Sequence, residues 1–143
     1  MLQGLAPSFA DTRGGVPVFP TGVQTRYFSF CQYEPGSQRM IDCRADDEVP
    51  AGADGRYTVV VSTSEHRPSN ARPECGVAWI PWGPAIHGLL VYRQMLADPS
   101  FTEAIAHIPE PGKERQTMGA YYPAGEYLAD ETAFEARGCP ITG

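Results

Sequence analysis

A hairpin with one cysteine on each strand constrains this chain more than any other feature. It spans residues 26–47, RYFSFCQYEPGSQRMIDCRADD. Strand alternation puts Phe28 and Phe30 on one face and Tyr27, Ser29, Cys31 and Tyr33 on the other. Glu34-Pro35-Gly36-Ser37 supplies the turn, with Pro35 presetting φ and Gly36 offering a positive one. Cys31 and Cys43 share parity, so a register that opposes them projects both sulfurs to the same face.

The four cysteines are Cys31, Cys43, Cys75 and Cys139. An even number permits complete pairing, in three connectivities. The hairpin favours Cys31–Cys43, and Cys75–Cys139 follows by elimination. Reduced core thiols, and metal-binding or reactive thiols, are the alternatives. None of the four lies in a C-x-x-C or at zinc spacing from a histidine. Paired cysteines imply an oxidising compartment, so the expected location is periplasmic or extracellular. MLQGLAPSFADTRGG lacks the charged start and long apolar run of an export signal, so export implies a mature form or a longer precursor. No apolar run approaches the roughly 20 residues of a transmembrane helix.

At 143 residues the chain has the length of one domain with a core of its own. Glycine (15) and proline (14) make up about a fifth of it without repeats, which favours a fold rich in turns. The net charge of −6 argues against nucleic acid, because phosphates need a basic face.

Residues 1–25 are broken by glycine and proline and read as an extended arm that lies along something else. Residues 26–143 read as a single β-sandwich-like domain. After the hairpin, Asp54-Gly55 turns into Arg56–Ser62, a β-branched strand. Gly76–Ile80 reads as a short strand, and Gly88–Met95 as one buried on both faces. Asp98 as cap, Pro99 as first residue and the stripe Phe101, Ile105, Ile108 predict a helix ended by Pro109, with His107 against its C-terminal dipole. A shorter helix is expected over 130–137, capped by Asp130 and stopped by Gly138. The expected class is mainly β: an antiparallel sandwich or jelly-roll-like sheet with one or two short helices toward the C-terminus.

Four segments in this order, RYFSFCQY (26–33), DGRYTVVVS (54–62), WIPWG (79–83) and YRQML (92–96), carry a family likeness. Residues 26–108 resemble the small β-sandwich domain of uncharacterised, exported bacterial proteins, often joined there to a second module. MGAYYP at 118–123 extends the pattern. The resemblance implies a fold and brings no catalytic residues with it.

The residues themselves single out few sites. No G-x-S-x-G elbow or phosphate-binding loop is present, although Ser62, Ser64 and Ser69 lie near His66. His66 with Asp46 or Asp47 is the one acid–base pairing that suggests a hydrolase. Asp46, Asp47 and Asp54, with Asp42 and Glu48 beside them, suggest a Ca²⁺ site without EF-hand spacing, against the plainer reading of a solvated acidic turn. No cofactor is expected. Trp79 and Tyr92 are expected in the core, whereas Trp82, Tyr121 and Tyr122 form the candidate binding surface. The expected function is that of an accessory or structural subunit of a cell-envelope or extracellular assembly, with other protein subunits as partners. The alternatives are a module for carbohydrate or another small ligand, and the hydrolase.

Overall fold

The computed structural model describes residues 1–19 and 21–141. The fold is mainly β, with two sheets packed face to face and two short helices. The strands are β1 (Leu2–Leu5), β2 (Tyr27–Glu34), β3 (Arg39–Ala45), β4 (Arg56–Ser62), β5 (Val77–Pro81), β6 (Leu89–Met95) and β7 (Ala124–Gly125). The helices are α1 (Glu114–Met118) and α2 (Glu131–Glu135). One sheet has the order β5-β4-β1-β7 and the other β3-β2-β6. All pairings are antiparallel except β4–β5, which the connection over residues 63–76 makes parallel.

Alternation sorts the two layers. Phe28 and Phe30 of β2 meet Tyr57 and Val59 of β4 and Ala78 and Ile80 of β5, all buried, with Leu90 and Tyr92 of β6 packed alongside. Phe30 stacks on Tyr92 at 4.6 Å between ring centres and lies 5.1 Å from Tyr57. The opposite face of β4 and β5 makes a second cluster of Val60, Val77, Ala71, Cys75 and Phe134, covered by the 63–76 connection and α2.

Cys31 and Cys43 are direct cross-strand partners, and their disulfide spans a Cα–Cα distance of 4.1 Å. The second disulfide joins Cys75 to Cys139. Beyond the cysteines the register slips: Gln32 faces Asp42 but Tyr33 faces Met40, leaving Ile41 as the extra residue of a bulge. The turn takes its left-handed residue at Gln38 (φ 57°), and Gly36 stays out of that region, unlike the expectation.

The first residues supply β1, inserted between β4 and β7. Gly4 permits that close fit, because a Cβ there would lie 2.6 Å from the Tyr57 hydroxyl. Ala6 and Phe9 continue along the core, and the Phe9 ring meets Phe28 edge-on at 5.6 Å.

Three local expectations are corrected. Residues 98–108 are a chain of turns ending in a single 3-10 turn, Ile105–His107. The Asp98 carboxylate does accept from Ser100 N–H (2.8 Å) and its hydroxyl (2.6 Å) as a cap would, but Gln94 Oε1 takes the Ile105 N–H that a helix would give to the residue 101 carbonyl. One face of β6 carries Leu89 and Met95 half exposed, so its apolar run is not buried on both faces. Trp79 lies outside the inter-sheet core, half-buried on the second cluster, with Nε1 donating to Ser62 Oγ (2.9 Å) and Arg67 over its ring. Helix α2 does form, with Asp130 Oδ1 accepting from Ala133 N–H at 2.8 Å.

Candidate functional site

The row Phe28, Phe30 on β2 continues to a polar residue, Gln32. That residue is fully buried and pairs with Leu90 across β2–β6. Beside it a cavity of about 630 Å³ opens at the end of the two sheets. Its apolar wall comes from Val60 and Val61 at the end of β4, Leu90, Leu2, Leu128 and Phe134. The size and apolar lining suit one small molecule.

Trp82 forms part of this wall and is fixed at three points. Its N–H donates to Ser62 O (2.7 Å), its indole Nε1 to Ala85 O (2.8 Å), and its carbonyl accepts from Gln32 Nε2 (3.1 Å). Gly88 closes this corner: a Cβ there would fall 2.1 Å from Gln32 Nε2 and 3.1 Å from the indole. The other amide atom, Gln32 Oε1, is buried and has no donor among the described residues. A buried acceptor without a partner costs desolvation energy that a donor would recover.

The mouth is acidic. Glu126, Asp130 and Glu131 line it, and no arginine or lysine does. Glu126 pairs with Arg137 (3.1 Å), Asp130 caps α2, and Glu131 faces His66 Nδ1 at 3.2 Å. Tyr127, 98% exposed, stands at the rim.

The other sequence candidates go elsewhere. Tyr121 packs edge-on against Phe101 (4.8 Å) and accepts from Gln24 Nε2 (2.7 Å), while Arg115 lies over Tyr122 (5.0 Å). Neither tyrosine lines the cavity with Trp82. Nor are His66 and the aspartates brought together, since His66 faces Glu131 while Asp47 pairs with Arg13 at 2.7 Å. Asp46 is buried, its Oδ1 accepting from Asp47 N–H at 2.9 Å and its Oδ2 without a donor. Burial pushes its carboxyl above the usual range. Asp54 Oδ1 accepts from Arg56 N–H. Among the described residues no group of three or more His, Cys, Asp or Glu is placed to hold a metal ion. Ser62 Oγ is committed, accepting from Trp79 and donating to Thr63 O.

Gln32 and Gly88 escaped the sequence reading. The signal for Gln32 was present, as an uncharged polar residue in the parity row of Phe28 and Phe30.

The geometry defines a class, a two-sheet β-protein tied by two disulfides with a ligand-sized cavity at one end of its sheets. Compared with family models, curated proteins and solved structures, the chain matches none of them.

Proposed function

We propose that the protein is a non-catalytic binding module that takes one small, largely apolar molecule into the cavity beside Trp82. The observation that carries this reading is the cavity wall itself: a tryptophan held at three points, by its main-chain N–H and C=O and its indole N–H, next to a buried amide oxygen that lacks a donor among the described residues. Rigid aromatic surface and preset polar atoms lower the ordering cost of binding. The disulfides fit an oxidising compartment, which supports a periplasmic or extracellular location. Among the described residues no helix is long and apolar enough to cross a membrane.

The test is NMR titration of the Trp82 indole signal with compounds that share a phenylbutyl body. A saturable shift, lost in Leu90→Trp, which fills the cavity, is expected. Absence of saturable binding by every member overturns the reading.

A second reading, a subunit of a cell-envelope or extracellular assembly, rests on the free edge of β6. Leu89 (51%), Met95 (52%) and Leu96 (43%) are exposed along it. An unpaired strand edge with apolar side chains is a surface on which another chain can dock. Co-purification of a stoichiometric protein partner that Leu89→Lys releases would favour it.

A further inference from the structure

The side chains around the cavity have committed most of their donors, the second N–H of the Gln32 amide excepted, and kept their acceptors. Gln32 Nε2 is committed to Trp82 O, the Trp82 indole N–H to Ala85 O, and the Ser62 hydroxyl to Thr63 O. What remains is Gln32 Oε1, with no donor, and the carboxylates of Glu126, Asp130 and Glu131, each with lone pairs beyond its one partner. The exceptions lie at the rim, where Tyr127 is wholly exposed and His66 faces Glu131. No lysine or arginine side chain lines the cavity, and the Met1 ammonium at its edge already donates to Glu126 O at 2.6 Å.

A wall of this kind selects by what it rejects. A carboxylate or phosphate would face the carboxylates of Glu126, Asp130 and Glu131 at the mouth, with Glu126 paired to Arg137 and Glu131 beside His66, and inside would find only the second N–H of the Gln32 amide. An ammonium would meet the carboxylates at the solvent edge, where a cation keeps part of its hydration, while its carbon body covers Val60, Val61, Leu90 and Phe134.

Building on the cavity reading, we propose that the ligand class is a hydrophobic amine. Its ammonium lies at the mouth among Glu126, Asp130 and Glu131, and its apolar body lies against Trp82.

The experiment compares 4-phenylbutylamine, 4-phenylbutan-1-ol and 4-phenylbutanoate, which share a body and differ in the head group. Dissociation constants come from calorimetry and from the Trp82 indole shift. The amine should bind about five-fold tighter than the alcohol, the ratio a single exposed ion pair can supply, and the acid more weakly than both. Added salt should narrow the gap between amine and alcohol. Glu126→Gln with Glu131→Gln should bring the two toward equal affinity, whereas Glu110→Gln, exposed and outside the cavity, should leave the ratio unchanged. This control separates a local field at the mouth from the general negative charge of the protein. Binding of the acid as tight as that of the amine, or a ratio that ignores the double substitution, overturns the amine proposal and leaves the cavity reading standing. Failure of all three compounds to bind removes both.

Discussion

The amide nitrogen of Gln32 donates to the main-chain oxygen of Trp82 at 3.1 Å, fastening the end of β2 to the turn after β5 across 50 residues of sequence. Gly88 lies against both partners, with no room for a side chain. Gly88→Ala should therefore displace the Gln32 amide, free the Trp82 carbonyl and cost about 1–3 kcal/mol. Urea denaturation measures the loss, and a shifted Trp82 indole resonance locates it. An unchanged indole signal would contradict the close packing at this corner.

The two disulfides close loops of different size, with sequence separations of 12 and 64. By loop entropy, replacing Cys31 and Cys43 with alanine should cost about 3 kcal/mol, and replacing Cys75 and Cys139 about 4 kcal/mol. Equilibrium unfolding of the two double variants gives the ranking, and the reverse order would mean that native packing outweighs chain entropy here.

Phe30 is fully buried at the meeting point of Tyr57 and Tyr92. Phe30→Ala should cost about 3–5 kcal/mol through lost burial and the cavity left behind. Burial also pushes the Tyr92 hydroxyl up to about 12, so alkaline titration of tyrosine absorbance should show this group ionising late in the wild type. In the variant, where water gains access, it should ionise earlier.

Asp46 gives a pH dependence with a definite sign. Its folded pKa lies above the unfolded one because burial disfavours the charge. The stability it contributes is then complete below the unfolded value and is lost as pH rises through the folded one. Relative to Asp46→Asn, the wild type should gain stability as pH falls from about 7 to about 4. Urea midpoints of both proteins at the two pH values check this, and a wild type that loses ground on acidification would refute it.

Asn70, nearly buried in the 63–76 connection, donates to Gly138 O at 2.7 Å just beyond α2. Ser69 N–H adds a bond to the Glu135 carboxylate at 2.7 Å. Asn70→Ala should cost about 1–3 kcal/mol, and amide exchange should quicken over residues 131–138 more than in β2.

What could be read from the sequence follows from how local each cause is. The Cys31–Cys43 register is a matter of parity within one hairpin, and β4 declares itself through Tyr57, Thr58 and three successive valines. Helix α2 is legible because its cap bond, Asp130 to Ala133, lies inside the helix. The failed helix over 98–108 had equally good local signals. The Asp98 cap bond to Ser100 forms, yet Gln94, from the preceding strand, takes the Ile105 N–H. The β6 error has the same origin, since an apolar run cannot reveal whether a second layer will cover its other face. The cavity is less legible still. Trp82 was singled out as a binding residue, but its companions come from residue 32, the end of β4 and the segment near 130, which only the completed fold brings together.

The far wall of the cavity, residues 126–134, is suspended between two anchors. At one end β7 pairs with Leu2 and Gln3, and at the other Cys139 is bonded to Cys75. One anchor is a short ladder and the other is covalent, so the thiol chemistry of the surroundings reaches the cavity wall through the backbone. Among oxidants the wall is held at both ends. Among reductants it would keep the two-residue ladder, the buried Phe134 and a few hydrogen bonds, and the cavity would lose its one covalent brace.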